Sequence, residues 1–181
     1  YMGTSGWVSA VTDRRVVDTD AFIASILGAR AGFSNYISEQ ETAGKCLEWV
    51  RDHLALDEIG VYLDRRTIAD DPDKRSRTLY DFLAETVESV PAGAGGVIFA
   101  PWMRGNRSPF EDPRARGIFF NVGLDTGKRA LVRAVVEGIA LHARWQLASI
   151  RKKVPARGPI RFVGGVARSP ATARIVADVL G

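Results

Sequence analysis

The sequence predicts an α/β domain, a mixed sheet flanked by helices. Three observations carry that reading. The segment from Gly127 to Lys153 lacks proline and sets Leu131, Val135, Ile139, Ala143, Leu147 and Ile150 on one broad helical stripe. Short apolar runs bounded by turn residues, such as Val97-Ile98-Phe99-Ala100, have the length and flanks of buried strands. The C-terminal part then runs helix, strand, glycine turn and helix, the alternation of a layered α/β sandwich.

The opening is rich in β-branched residues from Trp7 to Val11 and from Arg15 to Val17, with Thr12-Asp13-Arg14 as a polar reversal, which predicts a hairpin. Residues 18 to 41 carry no clear period and read as irregular. Thr42 opens a helix in which Cys46, Leu47, Trp49, Val50 and Leu54 recur at helical spacing, running to about His53. Residues 57 to 78, with Asp64-Arg65-Arg66 and Asp70-Asp71-Pro72-Asp73-Lys74-Arg75, read as a solvated loop or insertion. From Thr78, the spacing of Leu79, Phe82, Leu83, Thr86, Val87 and Val90 predicts an amphipathic helix, ended by Pro91 and glycines. After the long helix, Pro155 to Pro159 breaks the chain and Ile160 to Val163 reads as a strand feeding Gly164-Gly165. Ser169-Pro170 has the form of an N-cap followed by proline at the first position of a last helix.

A length of 181 residues suits one domain, and 46% hydrophobic with 25% charged residues excludes disorder, collagen and coiled coil as descriptions of the whole. Both ends read as cut from a larger protein. The longest apolar stretch, Val90 to Met103, is broken by prolines and glycines, so no bilayer span and a cytoplasmic location are expected. One cysteine and two histidines leave no basis for a disulfide framework, a zinc cluster or a Ser-His pair with a supporting partner. Charge is uneven: residues 1 to 100 carry 10 Lys+Arg against 16 Asp+Glu and residues 101 to 181 carry 15 against 5, so the parts stand at −6 and +10. A basic half suits an anionic small molecule, an acidic partner or nucleic acid. The basic-aromatic interleaving typical of nucleic-acid binding is not evident.

Two glycine turns have the chemistry of an anion site. In Gly3-Thr4-Ser5-Gly6 the glycines let backbone approach closely, and hydroxyl and main-chain N–H groups can donate to phosphate oxygens, although an ordinary β-turn has the same composition. In Val163-Gly164-Gly165-Val166-Ala167-Arg168-Ser169-Pro170 the turn precedes a helix N-terminus, where unpaired N–H groups favour negative charge. Neither the spaced glycines of a Rossmann turn nor the Gly-Lys-Ser/Thr of a Walker loop occurs.

In order along the chain stand Gly3-Thr4-Ser5-Gly6, Ala43-Gly44 with Leu47-Glu48-Trp49, Pro101-Trp102-Met103-Arg104-Gly105 leading to Arg107-Ser108-Pro109, Asp112-Pro113 with Ala115-Arg116-Gly117, Arg133-Ala134-Val135-Val136-Glu137-Gly138, and Gly164-Gly165 with Ala167-Arg168-Ser169. On these motifs the chain resembles, over nearly its whole length, the C-terminal nucleotide-binding domain of the FGGY carbohydrate kinases, and is most similar to the xylulose kinase branch. The resemblance implies an actin-like ATPase (ribonuclease H-like) fold, with residues 1–181 as the ATP-binding part of a two-domain kinase. It implies MgATP as phosphate donor and a ketopentose such as xylulose as acceptor, with ribulose, gluconate or glycerol as the alternatives within the family. The sugar would be held mainly by an N-terminal domain. That domain would also supply the aspartate base and the first phosphate loop, so no catalytic residue and no metal ligand is expected here, and the isolated chain is expected to be inactive.

By the same resemblance, Gly3, Thr4 and Ser5 would wrap the terminal phosphates. Gly164, Gly165, the backbone N–H of Val166 and Ser169 would hold the α-phosphate and adenosine, while Gly44 and Glu48 would border the nucleotide. The implied partners are ATP, a sugar and the N-terminal domain, with homodimers frequent in such kinases; neither nucleic acid nor membrane is expected. Val166 and Asn106 depart from the family pattern. Glu137 and Gly138 read as packing features, Trp49, Trp102 and Trp145 as core, and Arg104, Arg107, Arg114 and Arg116 as either phosphate clamps or loop braces. The reading from a different class is a non-catalytic module of the actin-like fold used for oligomerisation or regulation.

Overall fold

The computed structural model of the protein describes residues 1–54 and 79–181. A four-stranded antiparallel sheet is built from β1 (Gly6–Thr12), β2 (Val17–Asp18), β3 (Ile23–Leu27) and β4 (Ser34–Gln40) in the order β1-β4-β3-β2. Around it stand α1 (Gly44–His53), α2 (Leu79–Glu88), a two-stranded ribbon of β5 (Ile98–Ala100) and β6 (Ile118–Phe120), the long helix α3 (Lys128–Lys153) and α4 (Pro170–Leu180). The expected class, a sheet flanked by helices, is what the chain forms.

The long helix organises the packing. It touches β1, β4, β5, α1, α2 and α4, and its Val132, Val135, Val136, Ile139, Ala140 and Ala143 form the middle of the main apolar cluster with Cys46, Leu47 and Val50 of α1 and Ile175 and Val176 of α4. Gly138 lets the ribbon lie directly on the helix, because a Cβ there would meet the Phe99 carbonyl. A smaller cluster joins Ile23 and Tyr36 of the sheet to Ile150 and Val154.

Several expectations need correction. The first strand pairs with β4, from Gly6 opposite Gln40 to Thr12 opposite Ser34, and not with the strand after Asp13; β2 is two residues long and pairs with β3. The stretch from 18 to 41, read as irregular, contains β3 and β4. In β4 the buried positions are Ser34, Tyr36, Ser38 and Gln40, so its inward face is largely polar and no apolar alternation marks it. Finally, Ile160 to Val163 forms no ladder; the hydrogen bond from Met2 N to Val163 O, 2.9 Å, ties its end to the first turn. The β5 strand exists as half of a two-stranded ribbon, and it is buried on one face only: Phe99, and Val97 just before the strand, lie in the main core while Ile98 is exposed. The partner strand β6 was not foreseen. The charged stretch 57–78 lies outside the described residues.

Two braces hold the loop between the ribbon strands. Ser108 Oγ lies 2.8 Å from Ser38 Oγ and accepts from Glu39 N at 2.7 Å, while Arg107 pairs with Glu39 at 2.9 Å. Arg116 donates to its own loop carbonyls at Pro113 and Ala115. Arg107 and Arg116 are therefore loop braces, and Arg114 approaches Asp112. From below, His142 stands between the Trp102 indole and the Ser108 carbonyl. The indole can only donate, so His142 Nδ1 accepts and Nε2–H donates to Ser108 O at 3.1 Å, a neutral ring.

Burial pushes the His142 pKa down to about 4. Between that value and the ordinary 6.5, the unfolded chain binds a proton that the folded chain refuses, so stability rises with pH across this window and flattens on either side. On the order of 3 kcal/mol is at stake. In urea titrations between pH 4 and pH 7, His142→Gln is expected to reduce that slope; an unchanged slope would assign the acid sensitivity elsewhere.

Candidate functional site

The two glycine turns that the sequence singled out meet. Gly3, Thr4 and Ser5 form the tip of a tight reversal closed by Gly3 N to Ser5 O, 2.9 Å, and Trp7 N to Tyr1 O, 3.0 Å. Just before the tip, Met2 donates to Val163 O and accepts from Val166 N at 3.3 Å, so one residue ties the reversal to both sides of Gly164-Gly165. Met2 itself is 4% exposed and packs in the main core.

Gly164 is required at this junction twice over. Its φ of +117° belongs to the region that side chains avoid, and a Cβ would run into the Met2 backbone carbonyl. The chain then makes one 3₁₀ turn, Gly165–Arg168, and enters α4 with Ser169 as N-cap, its Oγ accepting from Thr172 N at 3.3 Å, and Pro170 in the first turn. The cap follows the sequence reading.

On its other side the reversal rests on the start of α1. Gly3 O accepts from Gly44 N at 2.7 Å, and Thr4 O accepts from both Ala43 N at 3.1 Å and Lys45 N at 3.2 Å. These carbonyls take the place of a side-chain cap, which α1 lacks. Thr42, expected to open the helix, instead donates its hydroxyl to Pro101 O. A Cβ on Gly44 would sit 2.5 Å from Gly3 O, so the absence of a side chain is what lets helix and reversal touch.

Of the predicted residues, Thr4 is exposed and Ser5 half-buried, and neither their hydroxyls nor their N–H groups are engaged among the described residues. The N–H groups of Gly164 and Gly165 are equally unengaged there. Val166 is different: its side chain is buried in the core and its N–H is directed at Met2 O, so the amide expected to face a ligand serves to join the turns. Ser169 is 3% exposed and occupied as a cap. Glu48 lies one turn into α1, ion-paired with Lys45, both partly solvated. The arrangement gathers uncharged donors from Thr4, Ser5, Gly164 and Gly165 on two backbone bends held in one register, a donor set suited to phosphate oxygens. The exposed Arg168 and Arg161 flank the glycine turn in sequence and contribute to the positive field of this half.

Elsewhere, a cavity of about 610 Å³ opens between β1, the second half of α3 and residues 154–163. None of the predicted residues lines it, although Met2 and Val163 form part of its wall. The Cys46 thiol, pushed up to about 12 by burial, is no nucleophile. Among the described residues no cluster of three His, Cys, Asp or Glu side chains could hold a metal, and no helix is long and apolar enough to cross a membrane. Sequence reasoning missed Met2 and Lys45, whose ties to the two turns run through main-chain atoms; the small pair Ala43-Gly44 was the one visible sign of a close approach.

The model of the FGGY family of carbohydrate kinases, C-terminal domain, matches residues 1–181. The gluconokinase of Bacillus licheniformis is 27% identical over 98% of this chain and 33% of its own length. The xylulose kinase of Escherichia coli is 26% identical over 99% of this chain and 33% of its own. Among solved structures, xylulose kinase from Rhodospirillum rubrum superposes with a TM-score of 0.76 at 25% identity, covering 99% of this chain and 32% of that one. These neighbours carry the actin-like ATPase fold. The chain spans about a third of the length of the curated relatives it matches.

Proposed function

We propose, because the chain belongs to the FGGY family of carbohydrate kinases, that it supplies the nucleotide half of a sugar-kinase cleft in which the γ-phosphate of MgATP passes to a hydroxyl of a ketopentose such as xylulose. One observation carries the reading: Met2 is hydrogen-bonded to Val163 and Val166, on either side of Gly164-Gly165, which ties the Gly3-Thr4-Ser5 tip to that turn, and the N–H groups of Thr4, Ser5, Gly164 and Gly165 are unengaged among the described residues.

In this reading Thr4 and Ser5 hold the terminal phosphates through N–H and hydroxyl groups, and Gly164 and Gly165 hold the phosphate nearer the nucleoside. Phosphoryl transfer asks the protein chiefly for alignment and neutralisation of charge. The donors on the two bends supply the alignment, and Mg²⁺ on the triphosphate supplies much of the neutralisation. The base that takes the proton from the sugar hydroxyl, and most sugar contacts, belong to the N-terminal domain of the whole kinase. Gluconate and glycerol are the competing acceptors, since relatives named for both are as similar as those named for xylulose.

Calorimetric titration of the chain with MgATP is expected to show binding, and the chain alone is expected to turn over no sugar. Joined to its N-terminal domain it should phosphorylate xylulose in preference to gluconate and glycerol. A folded chain that gives no heat at millimolar MgATP would favour a non-catalytic module, and preference for another acceptor would reassign the sugar.

A further inference from the structure

The peptide units at the reversal have a fixed polarity. In a trans peptide the C=O and N–H bonds point in opposite directions, and the Gly3–Thr4 and Thr4–Ser5 bonds are not among the cis bonds of the chain. Both carbonyls of these units, Gly3 O and Thr4 O, are bonded to the first amides of α1. The N–H groups of the same two units, on Thr4 and Ser5, therefore point away from the helix.

The helix start is itself closed to a ligand, because the amides of Ala43, Gly44 and Lys45 are consumed by the reversal and Cys46 N donates to Ala43 O. What remains is a chain of hydrogen-bonded dipoles: the positive end of α1 polarises two carbonyls, and each carbonyl polarises the N–H of its own peptide unit.

We infer that the first amides of α1, on Gly44 and Lys45, position and polarise the Thr4 and Ser5 amides for the terminal phosphates of a nucleotide, acting as a relay rather than as a binding site. Neither residue touches the phosphate; each is a positioning residue. This rests on the nucleotide reading above and assigns a part of the molecule that the reading leaves out.

Lys45 allows the amide to be tested apart from its side chain. Proline is tolerated in the first turn of a helix and lacks the N–H, so Lys45→Pro is compared with Lys45→Ala, which loses the same side chain and keeps the amide. Both are made in the full chain. MgATP and tripolyphosphate affinities are expected to be about tenfold weaker in Lys45→Pro than in Lys45→Ala, with adenosine affinity equal in the two. In the nucleotide-free proteins the Ser5 amide proton resonance should move upfield in Lys45→Pro alone. Gly44→Ala, which gains helix propensity while pressing on Gly3 O, should weaken triphosphate binding in the same selective way.

Equal triphosphate affinity in Lys45→Pro and Lys45→Ala, with the parent chain binding MgATP normally, overturns the relay and leaves the nucleotide reading standing. An unmoved Ser5 resonance overturns it also, whatever the ligand data. Loss of adenosine and triphosphate affinity together would mark general disruption and count against it. A parent chain that binds neither MgATP nor tripolyphosphate removes the nucleotide reading, and the relay with it.

Discussion

Arg133→Ala is expected to destabilise the protein by about 3 kcal/mol, the lower end of the penalty for stripping one partner from an ion pair largely removed from water, and to lower the thermal midpoint by roughly 6 to 12 °C. Arg133 Nε lies 2.6 Å from Glu137 Oε1, with the two side chains only 11% and 13% exposed. The guanidinium does more than neutralise. Its Nη1 donates to the carbonyls of Val87 and Val90, at 2.6 and 2.7 Å, and so closes the C-terminal end of α2. Glu137 in turn accepts from Gly93 N at 3.1 Å, just beyond that end.

Alanine at 133 therefore leaves a carboxylate without its counter-charge and two carbonyls without donors. Arg133→Met combined with Glu137→Leu removes both charges and fills the space, so the double variant should lie closer to the parent than Arg133→Ala does, even though it lacks more hydrogen bonds. Chemical denaturation of the three proteins decides the matter. If the double variant is less stable than Arg133→Ala, the backbone hydrogen bonds outweigh the uncompensated charge.

This pair also shows what a sequence exposes and what it hides. Reading Glu137 and Gly138 as packing features was correct in kind, since a glutamate inside a mostly apolar helix must find a donor. The i,i+4 spacing from Arg133 was there to be read as well. The donor at Gly93 and the carbonyls at Val87 and Val90 were not, because they belong to main chain brought near only by tertiary packing. The long helix and the Ser169-Pro170 cap were legible because each is fixed by local chemistry. The β4 strand was not, since Ser34, Ser38 and Gln40 occupy its buried positions in place of apolar residues, and Ser38 finds its partner far along the chain at Ser108.

The candidate site divides in the same way. Glycine and hydroxyl residues betray a bend that can face an anion, so Gly3 to Ser5 and Gly164-Gly165 could be marked in advance. Which amides remain unengaged is decided by what each bend rests on. Val166 lost its amide to Met2, and the start of α1 lost its amides to the reversal, neither of which a local pattern announces.

The second large effect is expected at Gly164. Alanine there meets two penalties: a φ of +117° that L-residues avoid, costing about 1 to 3 kcal/mol, and collision of its Cβ with the Met2 backbone, of similar size by analogy with overpacking. Gly158 separates the two. Its φ is +95°, and a Cβ there would meet nothing within 4 Å, so Gly158→Ala suffers the conformational penalty alone. Gly164→Ala should thus be the less stable variant by about 1 to 3 kcal/mol.

The collision has a direction as well as a size. Met2 can yield only by carrying the Thr4 and Ser5 tip with it, since Gly3 follows immediately and Met2 is bonded to Val163 and Val166. Under the proposed function, Gly164→Ala should weaken MgATP binding more than tenfold while Gly158→Ala leaves it within about twofold. Equal stability in the two variants would mean that Met2 moves aside at no cost, and equal MgATP affinity would mean that the two bends need not hold a common register to bind a triphosphate.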